Sequence, residues 1–425
     1  MMTAATQANA AGEQTLPLPA MLPPPPTRIE DLGIPEHLLI DIAIRHVYMR
    51  GVCTIHLWSE LLKVSLEVAE AVFRRLNEQQ LVEIRRMLGD DYVFALSATG
   101  RRAALERAST LRYAGPVPVS LQAWSEVVRS QKATTRVTRE SLRRAFSDIV
   151  VRDQLIDALG PALISQRSLF LYGPSGTGKT TISERLPRVY EDSVLVPWAV
   201  EVEGQIVTVF DPAVHEQIGA PPLYLDARWV VSRRPLIAAG GELVTSMLDL
   251  QRDESSCAWG APLQMKANNG ILLIDDFGRQ LMSPRDLLNR WIVPLDRRID
   301  FLSLGGGAKF AVPFECMVVF STNLEPHELA DEAFLRRIPN KIFVAPVAAE
   351  VFDAIFRLTA EAFGMACGPD SASICRELCL QHSPDLRPCF PRDLFESIRA
   401  VSMFAGEPAN LTREALERAV AGYFV

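Results

Sequence analysis

The chain has 425 residues, enough for two or three folded units at roughly 100 to 200 residues each. Apolar residues make up 48% and charged residues 22%, as in ordinary globular proteins, and a net charge of -7 argues against a surface shaped as a whole for nucleic acid. No apolar run reaches 18 residues and no basic stretch leads into an apolar segment at the N-terminus, so a cytoplasmic protein with neither membrane span nor secretion signal is expected.

Residues 1–35 are rich in Ala, Gln and Pro and include the run Pro23 to Pro26. Such a composition cannot bury a core, which predicts a disordered tail or semi-rigid spacer. Over 36–110 the pattern changes to three helical segments, "EHLLIDIAIRHVYMRG", "TIHLWSELLKV" and "SLEVAEAVFRRLNEQQ". In the third, Ser65 suits an N-cap, and Leu66, Ala69, Val72, Phe73 and Leu76 fall on one stripe. "LVEIRRMLGDDYVFALS" reads as two strands joined at Gly89-Asp90, and "GRRAALERA" as a further helix.

This order resembles a winged-helix domain. Its charge is balanced, ten Lys/Arg against ten Asp/Glu, and Glu67 and Glu70 open the helix that would enter a DNA groove. Carboxylates there repel phosphates, so protein docking is favoured over DNA reading, although Arg74, Arg75, Arg85, Arg86, Arg101 and Arg102 leave a local basic edge. A linker is expected over 111–145, around "YAGPVPVS" at 113–120, with helical pattern from there to about 165. Residues 146–347 are expected as an α/β unit with a parallel sheet, since apolar strands alternate with helices over 166–345, and 348–425 is a run of amphipathic helices.

"LFLYGPSGTGKTT" (169–181) carries the chemistry. A strand enters G-x-x-x-x-G-K-[ST], with Gly173, Pro174, Ser175, Gly176, Thr177 and Gly178 forming a loop whose backbone N–H groups turn toward phosphate. Lys179 neutralises β/γ charge, Thr180 can ligate Mg2+, and Thr181 continues into a helix whose N-terminus faces the anion. "GILLIDDFGRQ" is a buried strand that delivers Asp275 to the metal shell and Asp276 to the attacking water. "CMVVFSTN" ends in Asn323, an amide suited to hold that water, and Arg336, Arg337 and Arg392 follow in order.

These motifs together resemble an AAA+ ATPase over about 145–425. "GPSGTGKT" matches the family's Walker A, "ILLIDD" its Walker B and Asn323 its sensor 1. The resemblance implies that Arg337, with Arg336 second, reaches a neighbouring subunit's nucleotide, that Arg392 is sensor 2 in a C-terminal helical lid, and that the chain forms a ring, a hexamer. "GGELVTSMLDL" before Walker B and "RRIDFLSLGGGAKFAVPF" before sensor 1 resemble the MoxR-like and enhancer-binding-activator branches. The activators' GAFTGA loop is replaced by "DESSCAWGAP", which removes support for polymerase remodelling, and Asp276 stands where the family usually has Glu. The fold class expected is an α/β P-loop NTPase with a helical lid and an N-terminal winged helix, using ATP and Mg2+ to remodel a protein client. A DNA-associated ATPase and an ATP-gated scaffold with negligible hydrolysis remain as alternatives.

Other P-loop classes fit worse, since LSGGQ is absent and "NKIF" lacks the Asp that reads guanine. The seven cysteines have no paired C-x-x-C spacing, so Cys375, Cys379 and nearby His382 are expected as residues of a reduced protein and not as a metal site. Asp211 and His215 stand four apart beside Pro212, where a structural role is expected. Trp259 fits a central-pore loop or core packing equally.

Overall fold

The computed structural model describes residues 16–132, 137–305, 307, 309–329 and 332–424, so the first 15 residues of the expected tail lie outside it. The N-terminal unit runs α1 (Glu36–Arg50), β1 (Cys53–Thr54), α2 (Ile55–Leu62), α3 (Leu66–Glu78), β2 (Val82–Leu88), β3 (Asp91–Leu96) and α4 (Ala98–Arg107). Ser65 caps α3 by accepting from Val68 N, and the buried stripe is Val68, Ala69, Val72, Phe73 and Leu76. The strands form an antiparallel sheet in the order β1-β3-β2, turning at Gly89 with φ +60°.

Two expectations for the flanks are corrected. Residues 16–35 are docked: Pro17 O accepts from Ser193 N at 3.1 Å, Pro23 O from Asp226 N at 2.9 Å, and Pro26 O from Ser65 Oγ at 2.7 Å. Proline has no N–H, yet its carbonyl is a full acceptor, and an extended proline run offers a row of them. The expected linker over 111–145 instead builds β4 (Val119–Ser120), α5 (Leu121–Ser130) and α6 (Arg139–Ala145). Ser120 caps α5, and Trp124, Val127 and Val128 at helical spacing are buried in a second core. The Gly115 and Pro116 signals mark a crossing between packed units, where Val117 N donates to Leu62 O.

The α/β unit continues with α7 (Asp153–Ser165), β5 (Leu169–Tyr172) and α8 (Lys179–Arg185). A β-rich insertion follows: β6 (Ser193–Pro197), β7 (Ala199–Val202), β8 (Gln205–Thr208) and β9 (Trp229–Arg233). After β10 (Leu236–Ala239) the chain returns to it through β11 (Gln251–Arg252) and β12 (Trp259–Gly260). The simple strand and helix alternation expected for 166–345 is therefore interrupted by a second sheet, β11-β12-β8-β7-β4, and a β6-β9 ribbon. Trp259 lies in that sheet, partly buried against its core and in contact distance of Gly305, which favours packing over a pore loop. His215 accepts from Asp211 N through Nδ1 at 2.9 Å and faces Lys266 O through Nε2, while Asp211 pairs with Lys266 at 2.8 Å, so both are structural.

The remaining elements are α9 (Leu263–Lys266), β13 (Ile271–Ile274), α10 (Pro284–Arg297), the hairpin β14 (Ile299–Ser303) and β15 (Lys309–Pro313), β16 (Met317–Thr322), α11 (Pro326–Leu329), α12 (Glu332–Leu335) and β17 (Asn340–Phe343). The main sheet is entirely parallel, in the order β10-β13-β16-β5-β17. Its strands are near-continuous apolar runs because helices cover both faces.

The C-terminal helical unit contains α13 (Ala349–Phe363), β18 (Ala366–Cys367), α14 (Ser371–His382), α15 (Cys389–Ala405), β19 (Asn410–Leu411) and α16 (Arg413–Tyr423). It has its own core, with Phe356 and Phe395 edge to face at 4.9 Å, and it buries Cys375 and Cys379 completely. His382 stacks on Phe424, and no metal-binding cluster occurs among the described residues. Nor is any described helix long and apolar enough to cross a membrane.

Candidate nucleotide-binding site

Parallel strands present their carboxyl ends along one edge of a sheet, where ligands bind in α/β folds. Here β5 ends at the glycine loop, β13 at Asp275 and Asp276, and β16 at Asn323, and these three strands are neighbours although β16 comes last in sequence. The crossover brings together residues up to 150 positions apart. The loop is glycine-dependent at Gly173, φ +139°, where a Cβ would lie 2.5 Å from Val344 O.

Lys179 is buried in the loop. Its Nζ donates to Gly173 O at 2.9 Å, Pro174 O at 2.8 Å and Asn323 Oδ1 at 2.7 Å. Burial pulls its pKa down and the charge of Arg387 adds to that, while Asp276 and then Asp275 oppose it. Thr177 braces the loop by donating from Oγ1 to Pro174 O at 3.0 Å. Thr180 Oγ1 donates to Asp275 Oδ2 at 2.8 Å, while Asp275 Oδ1 is buried with no hydrogen-bond partner. A buried carboxylate oxygen left bare beside a hydroxyl is the arrangement expected of a hard-cation site. Asp276 is exposed to the cleft, on left-handed backbone with φ +47°.

The cleft measures about 1100 Å³ and is lined by Ser175 to Thr181, Asp276 and Asn323. Ile149, Val151, Leu155, Val351 and Ile355 form an apolar wall wide enough for a flat base. Gly173 and Pro174 serve behind the loop as acceptors for Lys179. Arg392 also lines the cleft, but its side chain is 73% exposed and its Nε donates to Glu396 at 3.2 Å. Arg336 and Arg337 lie on the turn before β17; Arg336 is exposed, and Arg337 Nε donates to Asp296 at 2.8 Å.

Sequence reasoning missed three contributors. Asp148 grips Arg185 of α8 and Arg188, and those guanidinium groups hold its carboxyl at about 2. Cys389 N approaches Gly176 O at 3.4 Å, so the helical unit touches the glycine loop directly. Arg387 lies beside the same loop, its Cδ 3.5 Å from where a Gly176 Cβ would stand, with its Nε buried and unpartnered among the described residues. The apolar run in "SDIVVRDQL" was the available signal for the base wall; the other two contacts arise only in three dimensions.

A family described as a domain of unknown function (DUF8689) matches residues 348–422, within the C-terminal helical unit. No curated protein matches the sequence. Among solved structures, the chain is similar to Thermotoga maritima RuvB, described as a Holliday junction branch migration motor, with 13% identity and a TM-score of 0.36 over 70% of this chain and 73% of that one. Two point mutants of the same protein give 12% and 11% identity with TM-scores of 0.38 and 0.37, each over 67% of this chain and 70% of theirs. Likenesses this distant carry no argument about function, which rests on the site itself.

Proposed function

We propose that the chain is an AAA+ ATPase that binds ATP with Mg2+, hydrolyses it, and works as a ring, a hexamer, to remodel a protein client in the cytoplasm. The observation that carries this reading is the convergence of Lys179, Thr180, Asp275, Asp276 and Asn323 from three adjacent strand tips onto one cleft. Lys179 and the loop amides hold the β/γ-phosphates. Thr180 and Asp275 would hold Mg2+, which supplies charge neutralisation to the phosphates when bound. Asp276 orients the attacking water and accepts its proton, and Asn323 Oδ1 exchanges its bond from Lys179 for one from the water, leaving Nδ2 to donate to the γ-phosphate. The apolar wall takes the base, Arg392 reads the phosphate from the C-terminal helical unit as a lid, and Arg336 and Arg337 serve a neighbouring subunit.

The N-terminal unit acts as a winged helix that docks protein. Two members of its basic edge are already neutralised, Arg75 by Glu36 and Arg85 by Glu83, which supports protein docking over DNA reading. Steady-state turnover of purified protein tests the core of this reading. Lys179→Ala should lose ATP binding, because deleting the ammonium leaves phosphate charge uncompensated in a desolvated loop. Asp276→Asn should bind ATP and turn over slowly. Wild-type turnover in that variant would remove Asp276 from its role, and ATP binding without turnover in the wild type would leave a nucleotide-gated scaffold.

A further inference from the structure

We propose that Lys341 is a positioning residue that fixes the turn carrying Arg336 and Arg337, presenting their guanidinium groups ready-made to the triphosphate held by a second copy of this chain. This rests on the reading of those arginines as acting between subunits.

Helix α12 has only four residues, and just past its end Arg337 N donates to Phe334 O at 2.8 Å. Lys341, on the edge strand β17, reaches back and donates from Nζ to Leu335 O at 2.7 Å and to Ile338 O at 2.7 Å. Those two carbonyls stand immediately on either side of Arg336 and Arg337. From beneath, Phe334 and Ile338 are buried in the apolar layer on the same face of the sheet as Phe170, the residue that Lys341 pairs beside in β5. From the side, Asp296 at the end of α10 accepts from Arg337 Nε. The turn is thus pinned at three points before any partner arrives.

The contacts separate this from an ordinary capping lysine, because they bracket the two arginines on both sides. Residues 336 to 341 read RRIPNK, three cations with no acid among them, and Lys341 makes no ion pair among the described residues. Its ammonium is held by carbonyl dipoles alone, and burial lowers its pKa. Arg337 keeps Asp296 as its anion within the subunit, at 2.8 Å, and Arg336 beside it is exposed. Neither arginine lines the subunit's own cleft, whereas Lys341 lies along its edge and points its ammonium back to the turn. From Lys341 the chain also runs through the end of β17 to Val344, against Gly173 of the glycine loop, about 10 Å in three extended steps. One rigid segment therefore joins the subunit's own loop to the turn it offers its neighbour.

The test uses mixed oligomers of full-length chain. Lys179→Ala subunits keep an intact turn, Arg336→Ala/Arg337→Ala subunits keep an intact loop, and mixing them should restore turnover at the interfaces where the intact halves meet. Lys341→Met keeps the unbranched stem and removes the ammonium. Placed on the Lys179→Ala subunit, it should cut the restored turnover on the order of 10²-fold, as misplacing a catalytic group by about 1 Å does. Placed on the loop-bearing subunit, where Lys341 borders that subunit's own cleft, it should cut restored turnover far less, with ATP affinity measured beside it to account for any local change. Lys341→Arg on the Lys179→Ala subunit should recover most of the activity. Equal loss in both placements, or loss in neither, overturns the assignment. If the unsubstituted pair restores nothing, the trans reading has failed and this inference with it, while turnover of the wild type decides separately whether the chain is an ATPase.

Discussion

Asp276 occupies left-handed backbone at φ +47°, a conformation that costs most L-residues about 1–2 kcal/mol and that Asp and Asn tolerate best. The shorter acid and the unusual backbone belong together: the turn aims the carboxylate into the cleft without the extra methylene of Glu. Asp276→Glu, the residue common in the resembling family, is therefore expected to lower turnover on the order of tenfold while leaving ATP affinity near wild type, because the longer side chain is misplaced and strained. Initial rates with saturating ATP, beside an equilibrium binding titration, measure both halves; a faster Glu variant would sink the argument. At this scale the sequence was legible where one short segment carries the whole chemical logic. Gly173 to Thr181, Asp275, Asp276 and Asn323 each end an apolar strand, and their periodicity marks the tips. Arg387 and Cys389 were illegible because what matters about them is contact with Gly176, more than 200 positions away.

Helix α8 shows how one element is steadied by a residue outside it. Its Arg185 binds Asp148 through Nε and Nη2 at 2.9 Å each, and Arg188 adds a contact at 3.1 Å. These partners lower the Asp148 pKa from its ordinary 3.8 to about 2, so the carboxylate is preferred in the folded state. The stabilisation is complete above pH 3.8 and is lost as pH falls toward 2. Asp148→Asn should melt below wild type at pH 5 and converge on it near pH 2; a gap that persists in acid would assign the effect to packing. The same scale explains the misread linker. Between Tyr113 and Ser120 two prolines and a glycine signal loop correctly, but composition cannot say that the next apolar turn, Trp124 to Val128, completes the core of a sheet whose other strands lie 70 to 140 residues further on.

Across the whole molecule, the N-terminal strap binds units that the sequence presents as separate. Arg228 is buried and donates to Asp226, Pro118 O and, from the strap, Leu32 O at 3.0 Å. Deleting residues 1–33 takes away that acceptor and the carbonyls of Pro17, Pro23 and Pro26. A buried charged donor left short of a partner costs about 1–3 kcal/mol, so the truncated chain should melt several degrees lower while its ATP affinity is unchanged. Unaltered melting would mean the strap adds nothing to stability. The same integration shapes how the chain is made. The core around α1 to α4 includes Ala199, Ile206 and Ala258, and Arg112 N donates to Ser256 O. During synthesis those helices emerge first, and their apolar face stays uncovered until residue 258 has left the ribosome. At about 5–20 residues per second, the roughly 150 intervening residues take on the order of 10 s, far longer than the helices need to form. The nascent protein must therefore carry the patch that Ala199, Ile206 and Ala258 later cover, unfinished, through much of the translation of its α/β unit.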